Sequence, residues 1–232
     1  MAPRNSVGYV VRLSEPALIG MILNGLEAYS VMHDRRARFV ETYGCLFGYQ
    51  ATMLDERTLY QVEMANIDTS AKRKADGVKY YPEAMILKAE TMHCYWPHLE
   101  YLGDFHTHPY ESCSRVRSAP REAGDGSGDS KGYFFSVEDK KSLRHLTKQC
   151  RENNIRYRVG LAVAIAALDD LKRKEPAHIH SNCIAFNIKR HRMWITAYCA
   201  YENGHSWQYT ENRDNTVFLE CQSVLGSIES FF

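Results

Sequence analysis

Residues 159–167 read Val-Gly-Leu-Ala-Val-Ala-Ile-Ala-Ala, a run with no charged or hydrogen-bonding side chain. A strand that is nearly all apolar, rather than alternating, is covered on both faces, as a central strand of an α/β sheet is. The elements around it fit that setting. Residues 136–150 read as a helix before it, and 179–189 and 193–201 as β-type runs after it. Further upstream, 99–105 is a short apolar strand. Tyr81-Pro82 opens a helix that Pro97 stops, and 38–49 with 58–65 reads as a hairpin. Near the start, Ser14 can cap a helix with Glu15 and Pro16 in its first turn, carrying Leu18, Met21, Ile22, Leu26 and Ala28 at helical spacings. Residues 216–232 suit strand or helix equally. Strands and helices interleave throughout, so the expectation is one α/β domain over residues 1–203, a mixed central β-sheet flanked by helices. Residues 204–232 would be a C-terminal extension packing on it. Residues 111–132, crowded with Ser, Gly, Asp and Arg and nearly without apolar periodicity, read as a flexible surface loop inserted in the domain.

Composition narrows the class without naming it. The 232 residues can bury a sizeable core. With 29 Lys+Arg against 28 Asp+Glu, the formal charge of +1 argues against an affinity dominated by phosphate neutralisation, so no nucleic-acid partner is expected. No apolar run approaches about 18 residues, which speaks against a transmembrane helix. Residues 1–10 have no apolar core of a secretory signal. Seven cysteines without a dense framework read as reduced thiols, and the expected location is the cytoplasm.

The chemistry is concentrated in three places. His106-Thr107-His108 closes a predicted strand, and in an extended chain residues i and i+2 point to the same face, so both imidazoles can reach one ion. Two polar residues on a solvated strand end would look the same. Ser136-Val137-Glu138-Asp139 offers a third ligand in Asp139, although a capping box alone would explain the tetrapeptide. The two readings are compatible. Glu41 stands among Val40, Tyr43, Leu46 and Phe47, where a partly buried carboxylate needs a partner. Gly44 and Gly48 would let the backbone approach a neighbouring strand closely.

Taken in order, Glu41-Thr-x-Gly-x-Leu-x-Gly, then Gly103-Asp104-Phe105-His106-Thr107-His108-Pro109, then Ser136-x-x-Asp139 resemble the JAMM metalloprotease signature of the JAB/MPN domain. The lead-in to the histidines looks most like the prokaryotic branch. The resemblance spans about residues 8–200 and implies a single JAB/MPN domain of cytidine-deaminase-like architecture. It implies that His106, His108 and Asp139 hold one Zn2+ with the fourth position left for water. Glu41 would be the general base, and Ser136 would hydrogen-bond the developing oxyanion. The implied activity is a zinc-dependent, deubiquitinase-like isopeptidase or peptidase, cutting after the C-terminal tail of ubiquitin or a ubiquitin-like protein. Members lacking the ligands serve as scaffolds, so the alternatives are a non-catalytic scaffold that binds such a partner, or a zinc hydrolase with a non-protein substrate.

One departure is plain: His108 and Asp139 stand 31 positions apart, far more than the family's usual gap, and the excess falls in 111–132. A surface insertion has a modest entropic cost, so the ligands can still converge. The insertion is a candidate lid, barrier or inert loop. Within it, Cys113 could take the fourth zinc position in a latent form, or be an ordinary free thiol. His178, His180 and Cys183 suggest a second zinc only if the chain bends, since the cysteine has the wrong parity for a strand. Lys72, Arg73 and Lys74 read as a loop, solvated or facing a partner. Tyr80-Tyr81 and Phe134-Phe135 read as core or groove wall, His93 as surface and Cys94 as core.

Overall fold

A computed structural model describes residues 8–31, 39–74, 77–117, 132–170, 174–203, 206–210 and 216–229. The first strand, β1 (Tyr9–Leu13), runs straight into α1 (Glu15–Ser30), where Ser14 Oγ accepts the Ala17 N–H at 3.3 Å and Pro16 lies in the first turn. Strands β2 (Tyr43–Thr52) and β3 (Thr58–Ile67) form the expected hairpin. A smaller hairpin, β4 (Lys72–Lys74) and β5 (Gly77–Lys79), replaces the expected loop, and α2 (Pro82–Tyr95) follows. Strand β6 (Glu100–Tyr110) is longer than expected, so His106 and His108 lie within it rather than at its end. Next come α3 (Cys113–Arg117), α4 (Val137–Glu152) and β7 (Val159–Ala167). The run 179–189 is broken at Ser181-Asn182 into β8 (Ala177–His180) and β9 (Cys183–Ile188). The long strand β10 (His191–Asn203) is followed by β11 (Ser206–Tyr209), β12 (Val217–Glu220) and α5 (Gln222–Glu229).

The result is an α/β protein built on one large, mixed, curled sheet in the order β12-β1-β3-β2-β6-β7-β10-β9-β8, with β11 alongside the far half of β10. Strand β7 pairs in parallel with β6 and antiparallel with β10, and is buried along its length except at Ala167. That burial is why its sequence does not alternate. Helix α1 covers one face, with Leu18 and Met21 packed among Val62, Phe105, Leu161 and Ile165. Helices α2 and α4 cover the other, with Met85, Leu143 and Leu146 among Phe47, Phe135, Ala162 and Tyr198. No helix among the described residues is long and apolar enough to cross a membrane.

Part of the segment read as a flexible loop is structured. Helix α3 places Val116 and Cys113 in a third apolar cluster with Phe134, Ala164 and Trp194. Two buried side chains sufficed to anchor that turn, too few to show as periodicity. The rest of the insertion, 118–131, lies outside the described residues. Of the stretch 204–232, β12 joins the main sheet beside β1, and α5 follows it.

Candidate metal centre

Strand alternation puts Asp104, His106 and His108 on the face of β6 that α4 covers. Their neighbours on β7 are Ala162 beside His106 and Ala164 beside His108, small enough to leave room for two imidazoles. Asp139 arrives from the first turn of α4, fixed by a complete capping box. Ser136 Oγ accepts the Asp139 N–H at 3.1 Å, and Asp139 Oδ2 accepts the Ser136 N–H at 2.7 Å. The shorter Asp does here what Glu or Gln usually does at this position.

These elements bring three side chains to one point. His106 Nε2 and His108 Nε2 are 2.9 Å apart, Asp139 Oδ1 is 3.3 Å from His106 Nε2, and Asp139 Oδ2 is 3.2 Å from His108 Nε2. Both imidazoles are 8% exposed. Two ligands on one zinc at about 2.0–2.1 Å in tetrahedral geometry stand about 3.3 Å apart, so the donor set and its spacing fit such an ion. The three form a group that could hold a metal ion. Without one, the cluster is an ion pair. Burial disfavours charge on His106, but Asp139, Asp104 and Glu41 outweigh it and push the imidazole up to about 9. Burial likewise works against the Asp139 carboxylate, but His106 and His108 hold it well below the usual carboxylate range.

The remaining two expected site residues line the same cavity, of about 330 Å³. Glu41 is half-buried there, just ahead of β2. Its segment is held from two sides: the Glu41 N–H donates to the Lys74 carbonyl at 2.8 Å, and Thr42 exchanges bonds with Thr107. The Thr42 N–H donates to Thr107 Oγ1 at 2.8 Å, and the Thr107 N–H donates to the Thr42 carbonyl at 2.9 Å. Thr107, on the opposite face from the two histidines, thus fastens the Glu41 segment to β6. Ser136 Oγ uses a lone pair in the cap and keeps its hydrogen to donate. Tyr43 and Tyr80, stacked at 4.9 Å, form part of the wall.

Sequence reasoning missed Asp104. It is 3% exposed, accepts the Tyr157 hydroxyl at 2.7 Å, and lines the cavity. Burial pushes its carboxyl up to about 6, against the charge on His106 and the bond from Tyr157. An acid at an apolar-strand position, two residues before the first histidine, was the available signal.

Among the described residues, the weaker candidates do not join a metal group. Cys113 is buried, with its Sγ donating to the Ala167 carbonyl at 3.2 Å. His178 Nε2 lies 2.8 Å from the Leu219 carbonyl, its ring against Phe218, while Cys183 is buried in β9. Cys94, expected in the core, is exposed, because α2 turns that side outward. Phe135 is core, packed against Tyr198 and His106.

No family model matches the chain, and no curated protein matches it. Among solved structures, the Trichoplax adhaerens STIL N-terminal domain is similar over 82% of this chain, at 10% identity and a TM-score of 0.35. The chain spans 42% of that chain's length. A likeness this distant carries no argument about function.

Proposed function

We propose that the chain is a zinc-dependent hydrolase with a JAB/MPN-type fold, acting on the isopeptide or peptide bond after the C-terminal tail of ubiquitin or a ubiquitin-like protein. One observation carries this reading: His106, His108 and Asp139 converge at zinc-ligand spacing, with Glu41 and Ser136 on the wall of the same cavity. Zinc held by these three would supply Lewis acidity and a water acidified to a pKa of about 7. Glu41 takes the proton of the attacking water and passes it to the leaving amine. The Ser136 hydroxyl donates to the substrate carbonyl oxygen as negative charge develops there. The tail would lie in the cavity against Tyr43, Val78 and Tyr80, held through main-chain bonds and apolar contacts rather than a strong overall field. All seven cysteines are free thiols, which supports a reducing, cytoplasmic setting.

The test is metal analysis of the purified chain together with hydrolysis of a tail-extended ubiquitin-like fusion. The expected result is one zinc per chain, cleavage abolished by EDTA, and a Glu41→Gln variant that keeps zinc while losing about 10²–10⁴-fold in kcat. Full activity in Glu41→Gln would overturn the mechanism. Zinc with no cleavage of any tail fusion would point to a non-protein substrate. A chain with neither zinc nor cleavage would be a scaffold.

A further inference from the structure

The insertion between the second histidine and Asp139 is tied to the metal centre at its base. Gly132, the first described residue after 118–131, is buried and faces both ways. Its N–H donates to the Val116 carbonyl in α3 at 3.0 Å, which joins the two flanks of the insertion. Its own carbonyl lies 3.1 Å from His108 Nδ1. The next carbonyl, of Tyr133, accepts the Thr196 hydroxyl of β10 at 2.8 Å, so the peptide is anchored to the sheet one residue further on. A carbonyl can only accept, so His108 Nδ1 carries a hydrogen, and in the neutral, metal-binding form of the ring it is the Nε2 lone pair that is aimed at His106 and Asp139.

The absence of a side chain at Gly132 permits this approach. A Cβ there would meet the Tyr110 ring at 2.5 Å, at both Cζ and the hydroxyl oxygen, so a side chain would drive the peptide away from His108 or displace Tyr110. We propose that Gly132 is a positioning residue: its carbonyl fixes the tautomer and ring orientation of His108, and through it the base of the insertion sets metal affinity. This rests on the metal-centre reading above, and gives the insertion a task that neither a lid nor an inert loop would have.

The experiment uses the full chain and Zn2+ alone, titrated in competition with a chromophoric chelator. Three variants are compared with wild type: Gly132→Ala, Tyr110→Ala, and the two combined. Gly132→Ala is expected to weaken zinc roughly 10–100-fold, the usual effect of losing an outer-shell partner of a ligating histidine. The combined variant, with room for the Cβ, is expected to return to within a few-fold of Tyr110→Ala. A second readout does not depend on the variants folding. Long-range 1H–15N correlation spectra of the zinc-loaded wild type are expected to show His108 protonated at Nδ1 and ligating through Nε2. A folded Gly132→Ala that binds zinc as tightly as wild type overturns the inference alone, as does ligation through Nδ1. No recovery in the combined variant also overturns it. A wild-type chain that takes up no zinc overturns the metal-centre reading, and this inference with it.

Discussion

Asp139 serves two tasks at once, and its Oδ2 shares in both. Oδ2 closes the capping box on the Ser136 N–H at 2.7 Å and Oδ1 faces His106, while both imidazoles lean on the same carboxylate. The consequence for stability has a definite sign. In the metal-free protein His106 titrates near 9 against an ordinary value of 6.5, so its contribution is fully present below about pH 6.5 and is lost as pH rises toward 9. Asp139 is depressed from 3.8, so its contribution is present above that value and is lost as pH falls below it. The metal-free Tm is therefore expected to decline from about pH 6.5 to 9, and Asp139→Asn to flatten that decline. Zinc reverses the trend, since its ligands must shed their protons, and the zinc-induced gain in Tm should grow from pH 6 to 8. Thermal scans with and without EDTA across that range check both signs. A Tm gain from zinc that is independent of pH would count against His106 as a ligand. Ser136→Ala tests the shared cap differently: it should cost about 1 kcal/mol of stability, and kcat should fall about 10²–10³-fold beyond what that loss explains. The five candidate residues that line this cavity were legible because each sits in a short local pattern, H-x-H, S-x-x-D or a Glu among apolar neighbours. Asp104, Thr107 and Gly132 were not, because their tasks arise from partners brought close by the fold: Tyr157, Thr42 and His108.

At the scale of elements, α4 carries the candidate site to the sheet. Leu143 and Leu146 pack among Phe47, Phe135 and Ala162 while its N-terminus delivers Ser136 and Asp139. Leu146 is 1% exposed and also lines the cavity, so Leu146→Ala should cost about 2–5 kcal/mol in urea unfolding and loosen Asp139 relative to the histidines. A smaller loss would mean the helix is held mainly by its cap. Gly103 tests the strand junction. Its φ is 153°, and a Cβ would overlap the Val159 carbonyl where β6 meets β7, so Gly103→Ala should destabilise by about 1–3 kcal/mol. Legibility here followed burial pattern and length. The long helices and the all-apolar β7 stood out. Strand β1 did not, since Tyr-Val-Val-Arg-Leu is short and its Val10 and Val11 are both buried, without alternation. The β8–β9 break was signalled by Ser181-Asn182, yet Asn182 is fully buried, its side chain donating to the Ala197 carbonyl at 3.1 Å, so the turn is set by β10 as much as by its own residues.

For the whole molecule, the curl of the sheet depends on β12. One side of β12 pairs in parallel with β1, where Arg12 Nε meets Glu220 Oε2 at 2.8 Å. Its other side reaches the β8–β9 turn, where the Leu219 N–H donates to the Ser181 carbonyl at 2.9 Å. Residues far apart in the chain thus bring the two ends of the strand order together, a non-local closure that no local pattern announces and that is intrinsically slow to form. Val217, Leu219 and Cys221 are all fully buried, so the closure is apolar as well as hydrogen-bonded. Ending the chain at residue 210 would remove these side chains and leave β1 as an open edge, a template for pairing between molecules. The expected outcome is a truncated protein that aggregates, or unfolds at a clearly lower temperature than the full chain, measured by light scattering and circular dichroism. Leu219→Ala is the milder version, expected to cost about 2–5 kcal/mol while leaving zinc affinity unchanged, because β1, β3 and β2 stand between β12 and the ligand strand. If the truncated chain keeps the full-length Tm, β12 is an ornament on the sheet. If Leu219→Ala weakens zinc as much as stability, closure of the curl and geometry of the metal centre are coupled across the three intervening strands.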